Sequence, residues 1–329
     1  MSKVYFIKDV HSNKYEEVLE QELKDKFKKG MTVAVKLHMG EGKGMFSPEL
    51  AKRAVSVLNK FGCKPFLFDT PVAYPGVRES KKAYEKAAAK HGFTKEKIGC
   101  PVIISDDYVV VKTKHMNVEV SKELLEADAC LVLTHFKGHP ASGMGGAIKN
   151  IAMGCVSIKS KQDQHNTAMP FNILDDCTAC GVCKEICPGN AITIEKKAKI
   201  NPESCWGCSS CYYDCPVNAF EIKTTFDALM AEATSAALSF FKNKPVYYVN
   251  DVRDITKLCD CFSNPGEIIA KDVGVLMSKD IVAIEKASVD LVKKQEGKEV
   301  FQKAHHHDPY LHIKEAEKMG LGEGEYELI

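Results

Sequence analysis

Net charge is nearly absent from this chain: 45 Lys and Arg stand against 44 Asp and Glu among 329 residues, a formal charge of +1. So even a balance offers no broad basic face, and neither nucleic acid nor an anionic lipid surface is expected as a partner. Long apolar runs are missing as well, since none approaches the ~18 residues of a membrane span. The first residues, MSKVYFIKDVHSNKYEE, contain no apolar stretch followed by a small-residue cleavage site, so no secretory signal is read and a cytoplasmic location is expected. Nor does the composition resemble disorder: hydrophobic residues make up 45% and charged residues 27%, enough to build a sizeable core.

What is present alternates. The length exceeds one ordinary compact domain, so two modules, or one core carrying an insertion, are expected. Residues 4–7, 33–37, 65–68, 102–104 and 129–133 read as strands, and 15–28, 48–61 and 77–91 carry helical spacing, the second opened by Ser47 as N-cap and Pro48 in the first turn. After a cysteine-rich stretch the alternation resumes, with a helix over 226–241, a strand over 246–249 and a helix over 278–294 opened by Ser278. The expected class is α/β, a mostly parallel sheet with helices on both faces. Residues 1–170 and 225–329 would form that domain in two parts, with 171–224 inserted as a separate module. The tail from His305 onward is polar and glycine-punctuated, and its run His305 to His307 is read as a solvated loop rather than a metal site.

Fourteen cysteines would suggest disulfides in a small secreted domain, but here eight crowd into one short segment of a long chain, which favours metal ligation. CTACGVCKEICP begins at Cys177 and CWGCSSCYYDCP at Cys205, a repeat offset by 28 residues. Each is C-x2-C-x2-C-x3-C-P, followed by Asn-Ala and an apolar residue. Three thiolates in one loop reach one [4Fe-4S] cubane, while the fourth points away and serves the other. One cluster is therefore assigned to Cys177, Cys180, Cys183 and Cys215, and a second to Cys205, Cys208, Cys211 and Cys187. Tetrahedral zinc also takes four thiolates, but neither the triple-plus-one spacing nor its duplication follows from zinc. Gly181, Gly207 and Ser209 are small enough to let backbone amides approach the sulfurs. Two oxidised clusters would bring the charge to roughly −3. The segment resembles bacterial ferredoxins with two [4Fe-4S] clusters, and that resemblance implies a ferredoxin-like α+β module carrying single electrons at low potential to or from a redox partner.

Outside the repeat, THFKGHPASGMGGAIKNIAMGC from Thr134 to Cys155 is the most unusual stretch. It follows a strand, and Gly143, Gly145 and Gly146 precede a helical run, an arrangement whose amides can surround an anion at the positive helix end. Lys137, His139 and Lys149 add charge, and the spacing is neither that of a dinucleotide fingerprint nor that of a P-loop. VAVKLHMGEGKGMF sets Lys36 and His38 at a strand end beside Gly40, Gly42 and Gly44, and Asp69 closes the strand of FLFDT. Ligands of open α/β sheets bind at the carboxyl ends of strands, where these residues would gather. Asn150 lies on the same helix as Lys149. Cys259 and Cys261 are spaced to hold a further metal or to act as a redox pair, or else are buried fillers, whereas Cys63, Cys100, Cys130 and Cys155 read as core residues.

HFKGH from His135, GGAIKN from Gly145 to Asn150 and the later VGVLMSKDIVAIEKASVDL from Val273 are similar to the iron–sulfur centre proteins of domain-of-unknown-function family 362. The resemblance spans nearly the whole chain and supplies architecture more than reaction. The expected function is electron transfer in one of three forms. The first is an oxidoreductase holding a small anionic substrate or a flavin-like cofactor, with His135, His139 and Lys137 as catalytic candidates. The others are a carrier that docks to a partner enzyme and a maturation protein with an extra metal.

Overall fold

The computed structural model describes residues 1–40, 45–259 and 264–329. Gly42, Gly44 and Cys261 of the sequence reading lie outside the described residues. Eight strands form the main sheet: β1 (Ser2–Ile7), β2 (Thr32–Leu37), β3 (Lys64–Asp69), β4 (Val102–Ile104), β5 (Ala129–His135), β6 (Val246–Val252), β7 (Gly274–Ser278) and β8 (Tyr326–Leu328). Their order across the sheet is β8-β1-β7-β6-β5-β2-β3-β4. All neighbours pair in parallel except those of β7, which runs antiparallel to both β1 and β6. This is an α/β fold.

Period-2 alternation sends successive side chains to opposite faces. Along β2, Val33, Val35 and Leu37 enter one apolar layer and Ala34 the other. The first layer is covered by α1 (Lys14–Leu23), α2 (Pro48–Lys60) and α3 (Lys81–Lys90). The second is covered by α4 (Ala147–Gly154), α6 (Phe226–Leu238), α7 (Ile281–Glu296) and α8 (Leu311–Lys318), with α5 (Ile158–Thr167) beside them. Ser47 caps α2 as expected, its hydroxyl accepting from Leu50 N at 3.4 Å.

Three expectations change. Ser278 ends a strand instead of opening a helix; Asp280 is the N-cap of α7, its Oδ1 accepting from Val282 N at 2.9 Å and Ala283 N at 3.0 Å. Five consecutive buried residues in β7 carry no alternation because both faces of a central strand are covered, so the pattern of a half-buried strand is lost. The tail is not solvated: His305 and His307 are buried, α8 packs on α6, and β8 adds a strand to the sheet edge. Its buried histidines face carboxylates inside, His307 toward Asp227 and His312 toward Asp227 and Glu285, which a composition argument misses.

Residues 171–224 give no described strand to the main sheet. They form two small antiparallel pairs, Asn172–Ile173 with Phe220–Glu221 and Ile192–Ile194 with Ala198–Ile200, around a small apolar cluster that includes Ile192, Ala198 and Phe220. Among the described residues no helix is long and apolar enough to cross a membrane.

Candidate functional site

β2, β3 and β5 lie side by side in matched register, with Lys36 opposite both Phe68 and Val132, so their carboxyl ends meet. Polar side chains replace the apolar alternation there. Lys36 Nζ is 3.0 Å from Asp69 Oδ1 and donates to Asn150 Oδ1 at 2.6 Å. The Asn150 amide in turn donates to Leu133 O and Thr134 Oγ1, both at 3.0 Å. Asp69 also accepts from Thr70 N at 2.9 Å and from the Tyr84 hydroxyl. Burial alone would raise its carboxyl pKa, but Lys36 and His38 outweigh that and hold it well below the usual carboxylate range. Arg78 Nη1 donates to His38 Nδ1 at 3.0 Å.

These strand ends open into a cavity of about 690 Å³. Its described wall carries the cations Lys36, Arg78, Lys137 and Lys149, with the amine of Lys161, against a single carboxylate, Asp69. Such an excess of positive charge favours an anion. Lys161 is itself engaged, donating to Thr70 Oγ1 at 2.6 Å, to Val156 O at 3.0 Å and to Pro71 O, and burial pushes its amine down to about 7.

Beyond β5 the chain forms a tight hairpin, Lys137–His139 against Gly143–Gly145, and then enters α4. His135 Nε2 donates to Arg253 O at 2.8 Å, and Lys137 Nζ to His135 O at 2.6 Å. His139 Nδ1 accepts from Ala141 N at 3.1 Å, which leaves the ring proton on Nε2. Burial, reinforced by Lys149, pushes this imidazole well below its ordinary value, so it stays neutral. Lys149 Nζ stands 4.0 Å from Cys259 Sγ. His135, Lys137, His139, Gly145, Gly146, Lys149 and Asn150 all line the cavity, whereas Gly143 packs against the backbone of His307 and Pro309 outside it.

The helix end that a Gly-rich turn offers to an external anion faces an internal one here. Ala147 N and Ile148 N donate to Glu285 at 2.7 and 3.2 Å, and a Cβ on Gly146 would stand 2.3 Å from Glu285 Oε2. Glu285 is on α7, remote in sequence, so the turn by itself gave no sign of it. A ligand would therefore meet the side chains of α4, not its first amides.

The cysteine segment closes one side of the same cavity, through Cys205 and Trp206. His165 on α5 joins the two parts: its Nδ1 donates to Trp206 O at 2.7 Å, and its ring stacks on Phe226 with centroids 4.6 Å apart. Burial pushes His165 down to about 4, against the pull of the Trp206 carbonyl, so Nε2 keeps its lone pair. No motif marked His165 or Arg78. Arg78 lies in the loop between β3 and α3 and His165 on α5, which follows α4, and only the fold returns them to the strand ends.

Within the segment the sequence repeat is also a conformational repeat. Left-handed backbone recurs at the same offset: Ala179 (φ 55) and Gly207 (φ 56), Gly181 (φ 85) and Ser209 (φ 62), Asn190 (φ 50) and Asn218 (φ 51). Short helices Val182–Glu185 and Ser210–Tyr213 follow in each half. Ala191 N donates to Cys187 Sγ at 3.3 Å and its counterpart Ala219 N to Cys215 Sγ at 3.2 Å. Ala198 N and Gly207 N donate to Cys177 and Cys205 Sγ, each at 3.4 Å. Burial pushes the Cys183 thiol up, and Cys177, Cys180 and Cys215 add to it. Burial likewise raises Cys208, with Cys187 and Cys205 adding. The thiols of Cys63, Cys100, Cys130 and Cys155 are buried.

Residues 33–290 match the family described as Domain of unknown function (DUF362), and the chain belongs to it. No curated protein matches the sequence. Two solved structures share distant likeness. The lactate racemase apoprotein from Thermoanaerobacterium thermosaccharolyticum is 13% identical with a TM-score of 0.41, over 77% of this chain and 51% of that one. A structural-genomics protein from Thermotoga maritima is 11% identical with a TM-score of 0.48, over 95% of this chain and 60% of that one. The chain thus spans less than two thirds of either.

Proposed function

We propose that the chain is an iron–sulfur electron-transfer protein, an oxidoreductase whose α/β part holds a small anionic substrate or a flavin-like cofactor and whose residues 171–224 form a ferredoxin-like module. Cys177, Cys180, Cys183 and Cys215 would hold one [4Fe-4S] cluster, and Cys205, Cys208, Cys211 and Cys187 the other. When bound, the clusters supply single electrons. The thiol groupings and the amides aimed at sulfur support the fit, since such amides stabilise thiolate ligands.

One observation carries the reading: Cys205 of the second quartet lines the same cavity as Lys149 and His139. A ligand there would meet the Lys149 cation and the N–H of His139 Nε2, with the lone pair of His165 Nε2 at hand on the cysteine side. The volume falls within the range of pockets that enclose small ligands and cofactors. On the outer side Cys180 and Phe171 are exposed, which gives a redox partner protein access to the first quartet. A pure carrier would share that outer face and leave the cavity without a ligand.

The test is calorimetry on the anaerobically purified chain with inorganic phosphate and a series of small carboxylates. The parent should bind at least one, and Lys149→Met should bind it about tenfold more weakly or worse with unchanged iron, as expected for loss of one charge-assisted contact of roughly 1.5–3 kcal/mol. Parent-like affinity in the variant, or no anion bound by the parent, supports the carrier instead.

A further inference from the structure

Away from the cavity, a file of buried polar side chains connects the second quartet to α4. Cys208 Sγ donates to Ser210 Oγ at 3.4 Å, and Ser210 Oγ is 3.1 Å from His307 Nδ1. His307 Nε2 lies 3.2 Å from Asp227 Oδ2. Asp227 Oδ1 is 3.7 Å from His312 Nδ1, and His312 Nε2 is 3.6 Å from Glu285 Oε1, both at ion-pair rather than hydrogen-bond distance. Glu285 is the carboxylate that receives the first amides of α4. The side chains of His307, Asp227, His312 and Glu285 are wholly inaccessible to solvent.

Counting donors shows what iron would change. With a thiol at Cys208, its S–H gives to Ser210, the Ser210 hydroxyl gives to His307 Nδ1, and His307 Nε2–H gives to Asp227. Every proton has one acceptor. A thiolate on iron has lost its proton and accepts. Ser210 is then left with one proton and two acceptors, the sulfur and His307 Nδ1. While the cluster is oxidised the hydroxyl stays with His307 Nδ1; reduction adds negative charge to the sulfur, the Ser210 hydroxyl turns to it, and Nδ1 then takes up a proton and gives it to Ser210.

His307 is faced by Tyr213, whose hydroxyl donates to Asp227 at 3.2 Å, and by Asp227 on α6, which His312 on α8 contacts in turn, with His305 on its own segment. Burial disfavours charge on His312, but its contacts with Asp227 and Glu285 outweigh this and lift it to about 9. One imidazolium thus stands between the two carboxylates Asp227 and Glu285.

We propose that His307, held by Asp227 and joined to Cys208 through Ser210, is the proton acceptor for the second cluster, so that its one-electron reduction takes up one proton at His307 Nδ1. The proposal rests on the iron–sulfur reading above. The electron comes from a low-potential one-electron donor and the proton from solvent; one N–H bond forms and no other covalent bond changes. Ser210 and Asp227 are positioning residues.

Redox titration of the anaerobically purified full chain, with dithionite as reductant and cluster spectra as the signal, is run at a series of pH values. One midpoint potential should fall as pH rises, approaching ~59 mV per unit, the one-electron equivalent of a tenfold change per pH unit, while the other stays flat. Ser210→Ala and His307→Gln should each abolish the slope with unchanged iron content. Ser210→Ala removes only a hydroxyl, so it keeps the test open if His307→Gln fails to fold. Two pH-independent potentials in the parent, or a slope that survives in Ser210→Ala, would overturn the relay while leaving the clusters in place. Spectra without any [4Fe-4S] signal would remove the iron–sulfur reading and the relay together.

Discussion

Gly207 shows how one residue joins the cysteine segment to the α/β core. Its φ of 56 is in the left-handed region, where glycine is favoured, yet Ala179 holds φ 55 at the equivalent place in the first half. The backbone angle therefore does not require glycine. Contact does: a Cβ on Gly207 would stand 1.9 Å from His165 O, and Gly207 follows Trp206, whose carbonyl receives the His165 ring. Gly207→Ala should destabilise the chain by roughly 1–3 kcal/mol in denaturant unfolding, the usual cost of overpacking, while Ala179→Gly should change it by less than about 1 kcal/mol. Effects of equal size and opposite sign at the two sites would mean that the angle, not the contact, sets the cost. At this scale the sequence was partly legible. The strand ends Lys36, His38 and Asp69 were readable because ligand positions in α/β sheets follow strand direction. Glu285, His165 and His307 were not, because their partners lie far away in sequence and no local pattern encodes them.

Elements that alternate or carry helical spacing were read within a few residues: β2, β4 and α2 all start or end near the expected positions. β7 and α8 were not, the first because both its faces are buried and the second because its polar groups are paired inside. Entry and exit of the cysteine segment lie together, since Asn172 pairs with Glu221 and Phe171 N donates to Glu221 O at 3.0 Å. A short linker can therefore replace residues 171–224 without straining α5 or α6. We expect the excised chain to stay soluble and unfold in one cooperative step, because β6, β7 and β8 complete the sheet begun by β1–β5. It will lose stability where Phe226 and His307 lose cover. Two separate transitions, or an insoluble product, would show that the flanking parts do not form one domain.

Over the whole molecule a cationic cavity at the strand ends adjoins a duplicated cysteine segment that forms part of its wall. Near-neutral net charge hides this division, because the positive lining is local and the thiols count as neutral in a formal sum. The central claim is that the eight repeat cysteines hold two [4Fe-4S] clusters. Anaerobic purification followed by iron, zinc and acid-labile sulfide analysis with a visible spectrum tests it most directly. About eight irons and eight sulfides per chain are predicted, falling to about four when Cys180 and Cys183 are both replaced by Ala, since that removes two ligands of one quartet and none of the other. Stoichiometric zinc without iron-derived absorption would contradict the account.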